Sequence, residues 1–176
     1  MLKVTDCRVQ PGDCAFLIDD GTTSILHDTG FGFTGYQIAD KVEKALNGRT
    51  LDYIFLSHSH YDHALATPYV KRKYPNAKVV AGRYAADIFQ RPGAKRVMRE
   101  LDGKFAAACG VTDYECLVDE LSVDVMVDDG DIIKAGDNCV GLKRTLHTGC
   151  GTLHCEAFFD PKTGDLLETY FSKGSS

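Results

Sequence analysis

No apolar run in the 176-residue chain approaches the ~18 residues that a membrane-spanning helix requires, so no membrane span is predicted. The first residues, Met1-Leu2-Lys3-Val4-Thr5-Asp6-Cys7, lack the apolar core of a secretory signal and read as the start of a strand. Basic residues are in the minority, with Lys+Arg at 20 against 25 Asp+Glu and a formal net charge of −5. The one basic block, Lys71-Arg72-Lys73, reads as a solvated helix face. A mildly acidic chain without a basic stripe is a poor candidate for binding nucleic acid. Low-complexity sequence is confined to a Ser/Gly tail, Lys173 to Ser176. Seven cysteines form an odd set without secretory context, which predicts reduced, mostly buried thiols in a cytoplasmic protein. The length suits a single domain with a sizeable core.

What is present reads as alternating strands and helices. Cys14-Ala15-Phe16-Leu17-Ile18 is a compact apolar run, Asp19-Asp20-Gly21 a hairpin turn, and Thr23 to Asp28 the return strand. A glycine-rich loop, Thr29-Gly30-Phe31-Gly32, follows. Ile38, Val42, Ala45 and Leu46 share one face of a helix predicted over Thr34 to Asn47, with Thr34 as its cap and Gly48 at its stop. Leu51 to Leu56 is an apolar strand of the kind buried on both faces. Thr67-Pro68 reads as the N-cap and first residue of a helix to about Tyr74, and Ala77 to Ala81 as a strand. Residues 83–108 are helix-rich, with Val97, Leu101, Phe105 and Ala108 predicted to face the core. From Ser122 the chain returns to β structure. Asp128-Asp129-Gly130-Asp131 is a turn, residues 138–146, 152–160 and 165–171 are strands, and Asp160 to Gly164 joins the last two. The order predicts an α/β (α+β) fold in which helices cover sheets.

The chemistry concentrates at Ser57-His58-Ser59-His60-Tyr61-Asp62-His63, where three of the six histidines fall within six residues. The run follows the strand Leu51 to Leu56 directly, and a polar loop at the end of a buried strand is a usual place for a site. Imidazole and carboxylate together suit zinc, or iron and related divalent ions. On an extended segment His58 and His60, two residues apart, point the same way and can hold one ion. Asp62 and His63, past the bend, can face a second ion or orient the ligands of the first.

The run resembles the H-x-H-x-D-H signature of the metallo-β-lactamase superfamily. His27-Asp28-Thr29-Gly30 is similar to that family's first motif, and the helix and strand from Ala64 to Ala81 also fit. The resemblance implies an αββα sandwich with the site at one edge of the sheets. It implies a metal-dependent hydrolase binding one or two zinc ions, with iron or manganese as the other candidates. In such a hydrolase the metal lowers the pKa of a bound water toward ~7 and polarises the oxygen under attack. On this resemblance His58 and His60 hold the first ion with a third, downstream ligand. Asp62 and His63 hold the second, Asp62 also orients the attacking water, and Asp28 positions the loop without binding metal. The substrate is expected to be a small-molecule ester, thioester, amide or phosphoester.

The later motifs match less closely. The family's His-Thr pair is best matched by Leu146-His147-Thr148-Gly149, which makes His147 the third ligand, with Cys150 and His154 as alternatives. No Asp ends the strand 165–171 where the family has a bridging one, and Glu168 is the nearby carboxylate. The family is usually longer, so residues 1–176 are expected to form a single domain lacking the C-terminal part of the full fold. The expectation is therefore that the first metal site forms and the second is weak or empty. Two other functions compete. One is a degenerate member that binds metal without turnover. The other is a di-iron redox protein on the same fold, against which His60 argues, since flavin-partnered members carry Glu there.

Overall fold

The first sheet grows from the hairpin of Phe16–Asp19 (β2) and Ser24–His27 (β3), paired antiparallel from Phe16↔His27 to Asp19↔Ser24. The computed structural model describes residues 3–128, 130–135, 138–141, 146–148, 151–159 and 166–173, with side chains as far as residue 133. Asp20 closes the turn by accepting from the Thr22 and Thr23 amides, and Gly21 supplies the positive φ of +96°. Lys3–Asp6 (β1) adds antiparallel to β2. Tyr53–Leu56 (β4) and Lys78–Gly82 (β5) continue in parallel from β3, and Val125–Val127 (β6) completes a six-stranded sheet in the order β1 to β6.

Parallel neighbours need crossovers, and helices supply them. Gly35–Leu46 (α1) joins β3 to β4, burying Ile38, Ala39, Val42 and Leu46. Tyr61–Ala64 (α2) and Thr67–Lys73 (α3) join β4 to β5. Leu26, Ile54, Leu56 and Val79 of the sheet are at most 1% exposed. Truncating Leu56 to Ala in such a setting costs about 2–5 kcal/mol. Both crossovers leave the C-terminal ends of β3 and β4 side by side, where His27, Asp28 and Ser57 emerge.

The structure corrects three local expectations. Thr34 does not cap α1 with its side chain; its hydroxyl shares its one proton between Asp13 at 3.0 Å and the Phe31 carbonyl at 3.1 Å. Ala66, not Thr67, is the cap of α3, and the Thr67 hydroxyl pairs with that of Thr29. The helix-rich stretch breaks at Arg91, which is extended before Pro92, into Arg83–Gln90 (α4) and Pro92–Ala108 (α5). On α5 the buried positions are Met98, Asp102 and Ala106, while Val97, Leu101 and Ala108 are exposed. A buried aspartate at the centre of the inward face shifted the apparent apolar stripe by one residue. The block Lys71-Arg72-Lys73 is tied to Asp124, to Glu115 and Glu120, and to Asp40 and Glu43, so it is no open basic patch.

The chain divides into two compact units, Met1–Met126 and Val127–Ser176. In the second, Ile132–Ala135 (β7) and Asn138–Gly141 (β8) pair antiparallel. Leu146–Thr148 (β9), Gly151–Phe159 (β10) and Leu166–Lys173 (β11) form an antiparallel sheet in the order β11-β10-β9. The turn expected at Asp160 to Gly164 lies outside the described residues. Asp128 and Asp131 do bracket a turn, with the Asp131 amide donating 3.0 Å to the Asp128 carbonyl.

Candidate metal centre

Two loops are stitched together at the ends of β3 and β4. The Asp28 amide donates to the Phe55 carbonyl at 2.8 Å, the Thr29 amide to the His63 carbonyl at 2.7 Å, and the Leu65 amide to the Gly30 carbonyl at 3.1 Å. Asp28 holds a left-handed backbone, φ +54°. That conformation is tolerated by Asp better than by most residues and costs of order 1–3 kcal/mol where other contacts must enforce it. At Gly30, φ +78°, a Cβ would fall 2.5 Å from Asp13 Oδ1, so only glycine lets the loop pass. Asp13 anchors this loop, accepting from the Val9, Gln10 and Phe31 amides and the Thr34 hydroxyl.

The Asp28 carboxylate, fully buried, is the hub of the site. It accepts from the Ser57 amide at 2.8 Å, the Ser57 hydroxyl at 2.7 Å and His63 Nδ1 at 2.7 Å. Ser57 Oγ has one proton, which goes to Asp28. It must therefore accept from His58 Nδ1–H, 2.8 Å away. Neutral His58 then carries its lone pair on Nε2. His63 donates through Nδ1 to Asp28, so its neutral form also presents Nε2, 3.7 Å from Asp62 Oδ2. One buried carboxylate thus sets the tautomer of two imidazoles, the usual role of a group behind metal-binding histidines.

The rings converge. The His58 and His60 centroids are 4.4 Å apart, and those of His58 and His63 are 4.1 Å apart. Asp28, His58 and His63 each bring a donor atom within 4.8 Å of the others. His60, exposed at the start of α2, borders His58, and Asp62 flanks His63 with its side chain 31% exposed. Imidazoles with preset tautomers and a neighbouring carboxylate are a donor set that fits zinc or a similar divalent ion. Burial drives the Asp28 pKa up, but the His27 charge, the His63 hydrogen bond and the Ser57 amide prevail. The group stays well below the usual carboxylate range. Burial likewise opposes charge on His63, but the hydrogen bond and charge of Asp28, with Asp62, raise its pKa above the ordinary value.

The downstream candidates fall in the second unit. His147 lies in β9 opposite Thr152, His154 is paired with Ser172, and Glu168 is opposite Phe158 beside a register shift. Their side chains, and Cys150 altogether, lie outside the described residues. Sequence reasoning missed Cys14 and His27 as site neighbours: with Asp28 they form a second group of donor atoms within 4.8 Å. Cys14 stood in an apolar run and His27 beside the first motif, and no local signal brings them together. Asp102, on α5, was missed for the same reason.

A family model described as the metallo-beta-lactamase superfamily matches residues 12–161. The chain belongs to the metallo-β-lactamase superfamily. Its fold is the α+β metallo-β-lactamase type, as solved structures agree. BJP-1, a subclass B3 metallo-β-lactamase of Bradyrhizobium japonicum, is 22% identical with a TM-score of 0.56, covering 89% of this chain and 55% of its own. MEM-A1, a subclass B3 enzyme from a soil metagenome library, is 23% identical with a TM-score of 0.54, covering 86% and 53%. FEZ-1 from Legionella gormanii is 20% identical with a TM-score of 0.54, covering 90% and 55%. The chain therefore spans about half the length of these structures, and at such identity the likeness establishes the fold alone. No curated protein sequence matches the chain. Among the described residues no helix is long and apolar enough to cross a membrane.

Proposed function

We propose that the chain is a metal-dependent hydrolase acting in the cytoplasm on a small-molecule ester, thioester, amide or phosphoester. The observation that carries this reading is the Asp28 hub, which makes Nε2 the lone-pair atom of neutral His58 and neutral His63. A buried carboxylate spent on orienting imidazoles makes chemical sense where those imidazoles bind a cation. In this reading His58, His60 and His147 hold one zinc ion, Asp62 and His63 hold the second more weakly, and iron or manganese can replace zinc. When bound, the metal acidifies a water and polarises the oxygen under attack. The chain's own residues do the rest. Asp62, part-exposed beside His63, orients the attacking water and receives its proton. Asp28 stays ionised and holds Ser57, His58 and His63 in place. The Ser57 and His63 hydrogen bonds to Asp28 hold its αL turn against relaxation.

Metal analysis of purified protein, together with hydrolysis of a broad panel of esters, thioesters and phosphodiesters, tests the reading. Expected are at least one bound ion per chain and an activity abolished by chelator and by His58→Ala. Protein purified with metal supplied throughout that binds none would overturn the proposal. A second reading is a member that binds metal without turnover, since no Asp stands in the stretch 165–171 after Asp165 where the family has its bridging one. Bound metal with no hydrolysis across the panel would support it.

A further inference from the structure

Beside the histidine loop, two donors that the hydrolase reading does not use, Cys14 and His27, gather at Asp28. Cys14 Sγ, a ring nitrogen of His27 and a carboxylate oxygen of Asp28 lie within 4.8 Å of one another. We propose that Cys14, His27 and Asp28 form a separate, thiophilic metal site that takes zinc, cadmium or cobalt(II).

Three observations carry it. A tetrahedral ion with ligand bonds of about 2.0–2.3 Å holds neighbouring donors about 3.3–3.8 Å apart. The three donor atoms lie within 4.8 Å of one another, so movements of about 1 Å reach that spacing, and His27 Nδ1, 3.8 Å from Asp28 Oδ2, is too far to be hydrogen-bonded to it. A carboxylate also offers about four lone-pair positions. Ser57 Oγ and His63 Nδ1 occupy both positions on Oδ2 and the Ser57 amide one on Oδ1, which leaves one position on Oδ1 for an ion. Finally, the ligands are held before any ion arrives. The Cys14 amide donates to the Asp62 carbonyl at 3.4 Å, and His27 ends β3 opposite Phe16. Binding displaces the thiol proton to solvent and forms a sulfur–metal bond, with no change of oxidation state. Three protein ligands leave a fourth position open, so the ion exchanges with solvent and is not locked in as a structural zinc. Asp28 is then shared, a ligand here and an orienting group for His58 and His63.

The test uses chelator-stripped protein reloaded with cobalt(II), because only a thiolate ligand produces a near-ultraviolet sulfur-to-cobalt band. Wild-type protein is expected to show that band beside the visible bands of imidazole- and carboxylate-bound cobalt. Cys14→Ser should lose the near-ultraviolet band and keep the visible ones, while Cys109→Ser, at an exposed position, should keep both. A band of undiminished intensity in Cys14→Ser, or none in cobalt-saturated wild type, overturns the proposal. A second measurement needs no variant: cobalt should slow iodoacetamide labelling of Cys14 at least tenfold, and unchanged labelling also overturns it. The histidine loop is read separately. His60→Ala should alter only the visible bands, and its failure to do so counts against the proposed hydrolase site and not against this one.

Discussion

Asp28 and Asp102 are both fully buried carboxylates, yet their pKa values move in opposite directions. Burial raises both. At Asp28 the charges of His27 and His63 overcome it and keep the group ionised. At Asp102 the partners are neutral: the Tyr114 hydroxyl at 2.7 Å and the Gly32 amide at 3.0 Å. They lower the pKa without cancelling the burial, and it ends above the usual range. Equal exposure therefore says little about a buried acid; its partners decide. Asp28 faces imidazoles and organises a cation site. Asp102 faces hydroxyl and amide and clamps α5 to the loop at Gly32, behind the aromatic stack of Phe31, Phe33 and Phe105.

The contrast is open to attack at both ends. Asp28→Ala should do most damage. It removes the acceptor of three hydrogen bonds and should destabilise the fold by about 3 kcal/mol, measured by urea unfolding. The milder Asp28→Asn should weaken metal binding about 10- to 100-fold, read by competition with a chromophoric chelator. If metal affinity is unchanged, Asp28 is no hub.

Asp102→Ala comes next. It leaves the Gly32 amide and Tyr114 hydroxyl without their acceptor and should lower stability by about 2 kcal/mol. Metal affinity should change far less than in Asp28→Asn, and an equal loss would erase the distinction between the two acids.

A smaller effect concerns pH. Asp102 keeps its proton to a higher pH when folded than the unfolded value of about 3.9, so folding takes up a proton between the two values. Its contribution is full below that window and declines as pH rises through it. Asp102→Asn should flatten that decline in unfolding free energy measured from pH 3.5 to 7. An unchanged slope would show that another group carries it. Tyr114→Phe is expected to be the mildest change, costing about 1 kcal/mol and moving the decline to higher pH, since the lost hydrogen bond held the Asp102 pKa down.

Much of this molecule is readable locally. The Asp20-Gly21 turn, the apolar strand before Ser57 and the helix bearing Ile38 and Val42 are written in short-range patterns, and each forms where expected. The histidine run is conspicuous because three imidazoles in a loop have no packing purpose. The face of α5 was misread because Asp102 looks like a surface residue. Only its neighbours, Gly32 and Tyr114, make its burial tolerable.

By itself, the sequence determined most of the elements, the superfamily and the histidine run. These follow from the period of apolar residues, the turn chemistry and the donor types within a few positions. Tertiary structure alone decided what the acids do. Asp28 meets Ser57 and His63 across 29 and 35 residues, and Asp102 meets Gly32 across 70. A carboxylate's charge state depends on groups within a few ångströms, and folding brings those groups from parts of the chain that no local pattern connects.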